Sequence, residues 1–170
     1  EMVAMRLKRL FRHGLTTRFQ LNQAFPKATL NEIEAVIQAG EQSHAGEVRF
    51  AVESSLEPLD VLRGQTSRTR AIELFSNLRI WDTEHNCGLL IYVLMADHAV
   101  EIVADRGIHA RVGEAEWIRI CRVMEAAFRR DDFRSGVIAG IEAVTQHLQE
   151  HFPLGTADRN ELSDVPVVLG

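Results

Sequence analysis

The chain has 170 residues, 46% hydrophobic and 25% charged, with 11 Gly and 4 Pro, a profile that fits one globular domain and excludes disorder and collagen-like repeats. A domain of this length buries roughly 70% of the surface its unfolded chain exposes, so its core requires neither disulfide nor zinc, and Cys87 and Cys121 are expected to be reduced thiols. The net charge of −5 argues against nucleic acid as a partner; no leader or roughly 20-residue apolar span is visible, so a soluble, cytoplasmic protein is expected.

Residues 1–25 carry Arg6, Lys8, Arg9, Arg12 and Arg18 against one acid, Glu1, with Met5, Leu7, Leu10, Phe11 and Leu15 interleaved. They form a basic amphipathic arm, either packed on the domain or in peripheral contact with an anionic membrane through Arg6, Lys8, Arg9 and Arg12. A helix is predicted from Thr29, where Thr29-Leu-Asn-Glu32 has the form of a capping box, to about Ser43. Val48, Phe50 and Val52 alternate with Glu47, Arg49 and Ala51 as in a strand. Ala71, Leu74, Phe75 and Leu78 recur at helical spacing after the cap candidates Thr66 and Ser67.

Residues 88–96 are apolar on both parities, which predicts a central strand covered on both faces. Asp97-His98 then makes a short hairpin into a third strand, 99–105. Two more helical stripes follow: Trp117, Ile120, Cys121, Met124 and Phe128, then Val137, Ile141, Val144 and Leu148, where Gly136 and Gly140 permit close approach of a neighbour. The expected fold is α/β: a mixed sheet of three to four strands, made of a parallel βαβ unit plus an antiparallel hairpin, flanked by about four helices. Residues 26–152 form this domain, and 153–170 are expected to be a flexible tail.

A right-handed βαβ crossover makes the first two strands parallel, and the third runs back. The start of the first strand, the loop before the second and the exit of the third therefore share one end of the sheet. Three polar clusters meet there: His44 and Glu47, then Asp82-Thr-Glu-His-Asn86, then Asp105-Arg106.

With Asp82-Thr-Glu-His-Asn-Cys-Gly88 before the central strand, Asp105-Arg-Gly-Ile108 after the third, Ala-Gly-Glu-Val at 45–48, Leu74-Phe75 ahead of Trp81, and the stretch 133–143, the chain resembles the TPM domain family over about residues 28–150. The resemblance implies an α/β domain with a mixed sheet between helices, of a kind found in bacterial and plastid proteins, often exported and membrane-tethered. It also implies a link to acid phosphatase activity, to calcium binding, or to assembly and repair of membrane complexes. The chain departs from the family pattern in two places. Asn86-Cys87-Gly88 stands where many members have Asp-Asn-Gly or Asn-Asn-Gly, and Asp105-Arg106-Gly107 replaces the usual Gly-Tyr-Gly.

Asp82, Glu84 and Asn86 alternate as oxygen donors, and with Asp105 they approach the oxygen shell that calcium or another divalent cation prefers, with His44, Glu47 and His85 at the rim. The leading expectation is a divalent-cation-binding or protein-interaction module without catalysis. The alternative is a metal-assisted acid phosphatase acting on phosphate monoesters through Asp82, Asp105 and Arg106, and a second alternative is a peripheral membrane adaptor. No organic cofactor is expected. His147 and His151 stand four apart and could chelate a metal, but read more simply as an exposed helix end; Cys87 reads as a small packing residue.

Overall fold

A computed structural model of the chain describes residues 1–155 and 160–170. Four strands form one sheet in the order β3-β2-β1-β4. β1 (Glu47–Glu53) pairs in parallel with β2 (Gly88–Leu94), and β2 pairs antiparallel with β3 (Ala99–Ala104). The mixed α/β architecture expected from the sequence is therefore present. The hairpin is not a two-residue turn, however. Residues 95–97 form a short 3-10 turn, and His98 takes the left-handed conformation at φ 51°.

The fourth strand corrects the expected flexible tail. β4 (Val167–Leu169) pairs in parallel with β1, Ala51 opposite Val167, so the end of the chain closes the sheet edge. Within that tail, residues 156–159 lie outside the described residues.

Helices cover both faces of the sheet. α3 (Lys27–Glu41), α7 (Glu114–Phe128) and α8 (Phe133–His151) pack with Val48, Phe50, Leu89 and Ile91 in the larger core, which Leu21 and Phe25 of the preceding segment complete. On the opposite face α4 (Pro58–Arg63) and α5 (Ser67–Asn77) bring Val61, Ala71 and Leu74 against Leu90, Tyr92 and Leu94. All seven residues of β2 are buried, as its unbroken apolar run requires. The predicted cap at Thr66 is observed: its hydroxyl accepts from Thr69 N–H in a capping box. The one predicted at Thr29 is not. α3 begins two residues earlier behind Pro26, and Thr29 is buried inside its first turn. Gly140 does permit close approach, since a Cβ there would meet Met124 of α7 at 2.3 Å. α6 (Arg106–Val112) is a short helix opened by Asp105.

α1 (Met2–Leu15) and α2 (Arg18–Ala24) precede this core. α1 docks by its polar side. Arg9 forks onto Asp97 (2.7–3.1 Å), Arg12 reaches the same carboxylate at 2.7 Å, and His13 Nε2 lies 2.9 Å from it while His13 Nδ1 accepts from Leu56 N–H. Burial alone would raise the Asp97 pKa; the hydrogen bonds from Arg9, His13 and Arg12 outweigh it and hold the carboxylate well below its ordinary range. No helix among the described residues is long and apolar enough to cross a membrane.

Candidate functional site

The end of the sheet where β1 and β2 begin and β3 ends gathers the three polar segments that chain direction implies. Glu47 N–H donates to Cys87 O (3.0 Å), Asp105 N–H to Gly88 O (2.9 Å) and Gly107 N–H to Asn86 O (3.1 Å). The 82–87 turn is held by Thr83, whose hydroxyl accepts from Cys87 N–H at 3.0 Å. It reaches the strand through Asn86 at φ 52°, a left-handed position that Asn tolerates. Cys87 fits the packing role: its thiol donates to Ala45 O at 3.3 Å, and burial pushes its pKa up.

The deepest chemistry at this end lies at the α3–β1 corner, against the segment 160–164. A pocket of about 370 Å³ is lined there by Glu41, His44, Glu47, Asn160 and Asp164 among others. Glu41 accepts from Val48 N–H through Oε1 (2.8 Å), while its buried Oε2 meets no donor among the described residues and the carboxyl hydrogen-bonds instead with that of Asp164. Desolvation raises its pKa to about 9. The Val48 N–H opposes this, and the Asp164 and Glu47 carboxyls reinforce it. Glu47, 3% exposed, accepts from Glu161 N–H at 2.8 Å and Leu162 N–H at 3.3 Å. Desolvation still raises it to about 7, those two N–H groups opposing and the Glu161 and Asp164 charges adding to the rise. His44 is 2% exposed, and neither ring nitrogen meets a partner in hydrogen-bond geometry among the described residues. Desolvation lowers its pKa, offset only in part by its approach to the Gly46 backbone.

A model of the TPM domain family matches residues 19–147, about three quarters of the chain. The chain belongs to the TPM domain family. Among solved structures, this TPM domain is similar to the protein BA42 from the psychrophilic bacterium Bizionia argentinensis, with 27% identity, a TM-score of 0.72, and coverage of 84% of this chain and 93% of that one. It also shares its fold with the N-terminal domain of a protein from P. gingivalis, with 20% identity, a TM-score of 0.63, and coverage of 76% and 81% respectively. No curated protein matches it. α1 and the segment carrying Asn160 and Asp164 lie outside the matched residues.

The residues singled out in the sequence fall into two groups in this TPM domain. Glu47 and His44, expected at the rim, are instead buried in the pocket. Asp82, Glu84 and His85 are exposed. Asp82 pairs with Arg79 at 2.7 Å, and the Glu84 N–H donates to the Glu161 carboxylate at 3.1 Å. Asn86 contributes its backbone carbonyl to Gly107. Asp105, 8% exposed, caps α6 by accepting from Arg106 N–H through Oδ1 at 2.7 Å, while its buried Oδ2 has no partner among the described residues. The Arg106 side chain is exposed. So the backbones of the 82–87 turn and the 105–107 corner meet as expected, but among the described residues neither Asp82, Glu84 and Asp105 nor the pocket's Glu41, His44, Glu47 and Asp164 are gathered into one ready-made ligand cluster. Sequence reading missed Glu41, Asn160 and Asp164. The one signal for the last two was the apolar run Val165-Pro-Val-Val-Leu169, a short strand pattern inside the supposed tail.

Proposed function

We propose that this TPM domain is a divalent-cation-binding module, with the ion held in the pocket at the α3–β1 corner. The observation that carries this reading is the pocket's inventory: both His44 ring nitrogens are withdrawn from water without a partner among the described residues, beside the Glu41 carboxyl, which meets the Asp164 carboxyl, and beside Glu47. Buried polar atoms normally find partners, and mutually crowded carboxylates attract either protons or a cation. Side-chain rotation would let Glu41, Glu47 and Asp164 offer carboxylate oxygens and Asn160, whose amide nitrogen donates to Asp164 at 3.1–3.2 Å, an amide oxygen. That donor set suits calcium, which takes six to eight oxygens and fills its shell with water. Entry of the ion displaces the protons that Glu41 and Glu47 otherwise keep, so affinity rises with pH.

Calorimetric titration of metal-free protein with calcium chloride at pH 8 is expected to give saturable heat and a thermal shift of several degrees. Glu47→Gln should weaken binding at least tenfold. Absence of both heat and shift at millimolar calcium would overturn the reading. If Asp105→Asn abolishes binding while Glu47→Gln does not, the ion sits instead at the 82–86 turn. The alternative of a metal-assisted phosphatase has no separate geometric support, because Asp105 Oδ1 caps a helix and Asp82 is ion-paired.

A second reading, peripheral membrane contact, is favoured by the polarity of α1. Arg9, Arg12, His13 and Leu10 face the domain, and most of the apolar side faces out: Val3, Leu7, Phe11 and Leu15 follow one another at i, i+4 spacing and are 56–70% exposed, with Phe19 of α2 close behind in sequence at 68%. Arg9 and Arg12 are both taken up by Asp97, which leaves Lys8 and the exposed Arg6 beside the stripe. Such a face suits the headgroup boundary of an anionic bilayer. Sedimentation with phosphatidylserine vesicles is expected to deplete the wild-type protein from the supernatant and to leave Leu7→Glu/Phe11→Glu in it. Equal partition of the two proteins would end this reading.

A further inference from the structure

We propose a transition-metal site of the zinc class on the last turn of α8, formed by His147, Glu150 and His151. It is separate from the carboxylate pocket and rests on different observations. His147 and His151 are one helical turn apart on the same face, and Glu150 lies between them in sequence. One donor atom from each of the three lies within 4.8 Å of the others. Small side-chain rotations bring such atoms to the bond lengths of about 2.0–2.2 Å that zinc takes from imidazole and carboxylate.

The surroundings prepare His147 as a ligand. Glu116 of α7 lies 2.9 Å from His147 Nε2. A carboxylate accepts there, so Nε2 carries the hydrogen and the lone pair is left on Nδ1 for a metal. A carboxylate behind a ligating imidazole fixes its tautomer and ring orientation. The Trp117 ring packs edge-on at 5.8 Å and limits ring rotation. His151 is the final residue of α8, where the negative end of the helix dipole favours a cation. Two imidazoles and one carboxylate are a donor set for zinc, nickel or copper rather than calcium, and the exposed side of Glu150 leaves the fourth position to water.

The spacing His-x-x-Glu-His also occurs in a class of zinc peptidases, where the Glu is a catalytic base; here Glu150 is one of the three clustered donors, and no hydrolysis is proposed. The family match ends at residue 147, so Glu150 and His151 belong to the part of the chain outside it. An ion at this turn would stiffen the residues that follow. The Phe152 carbonyl accepts from Ala45 N–H at 2.8 Å, and Pro153 bridges to His44, so α8 buttresses the corner that holds the carboxylate pocket.

The test is titration of the full chain, stripped of metal, with zinc chloride, followed by calorimetry and thermal denaturation. One equivalent is expected to bind with micromolar affinity. His147→Ala, His151→Ala and the milder His151→Asn should each weaken it at least tenfold, and Glu150→Gln several-fold, with circular dichroism showing intact folding. Glu47→Gln and His44→Ala should leave zinc affinity unchanged. No binding at millimolar zinc, or binding indifferent to both His147 and His151, overturns the proposal. Zinc binding lost in Glu47→Gln or His44→Ala but retained in the α8 variants would place the ion in the carboxylate pocket, overturning the α8 site while leaving the proposed function standing.

Discussion

Gly88→Ala is expected to lower the melting temperature by about 10 °C, the equivalent of roughly 3–4 kcal/mol for a domain of this size. Gly88 opens β2, and a Cβ on it would stand 2.0 Å from the Ile80 carbonyl oxygen and 2.9 Å from the Ile80 Cγ2. Ile80 is fully buried in the smaller core, and its backbone cannot retreat without dragging the 82–87 turn with it. Overpacking against a flexible side-chain tip can be relieved by rotation, but a carbonyl of a buried segment gives only by moving the chain. The turn would then lose its hold on Gly107 and Glu47, so the variant should also weaken calcium binding, even though Gly88 carries no ligand atom. Thermal denaturation with and without calcium checks both statements; a Gly88→Ala protein that melts within about 2 °C of wild type would show that the turn is not clamped as described.

The same contact explains why the backbone of the site was legible in the sequence while its side-chain chemistry was less so. The alternation of Val48, Phe50 and Val52 and the two-sided apolar run after Gly88 define strands by local pattern alone. Chain direction then forces residues 44–47, the 82–86 turn and the 105–106 corner to one end. Which carboxyls are buried there depends on a contact no local pattern encodes. The three-residue β4 pairs in parallel with β1 from more than 100 positions away, and that pairing lays Glu161, Leu162 and Asp164 over Glu47 and Glu41. Without it, Glu41 reads as a solvated residue near the end of a helix. Asp82 and Glu84 illustrate the converse. Their alternation suggests convergent donors, but both lie exposed on a short turn, where Asp82 pairs with Arg79 instead. The orientation of α1 has a similar origin: Asp97 lies in the 95–98 connection, and its partly buried carboxylate draws in Arg9, Arg12 and His13, which leaves Leu10 inward but Val3, Leu7, Phe11 and Leu15 exposed.

The crowding of carboxyls at the α3–β1 corner has a measurable signature in metal-free buffer. Glu41 and Glu47 have folded pKa values of about 9 and about 7, against 4.5 as their ordinary value. Because both are raised, the folded state holds their protons more tightly than the unfolded chain does. Their contribution is therefore complete below about pH 4.5 and is lost as pH rises, through about 7 for Glu47 and about 9 for Glu41. His44 acts in the opposite sense: its lowered pKa costs stability as pH falls below about 6.5. Arg49 faces the same corner: burial lowers its pKa, and the Asp164 carboxylate offsets this only in part. A substitution that mimics the protonated carboxyl separates these effects. Glu41→Gln is expected to melt with wild type at pH 5 and about 6 °C above it at pH 9, which corresponds to about 2 kcal/mol for a partly exposed group. Saturating calcium should raise the wild-type melting temperature most at pH 9, where competition from the Glu41 and Glu47 protons is weakest, and should do little for Glu41→Gln. A constant offset between the two proteins from pH 5 to 9 would mean that Glu41 titrates like a solvated carboxylate, and the physical basis for an ion in that pocket would go with it.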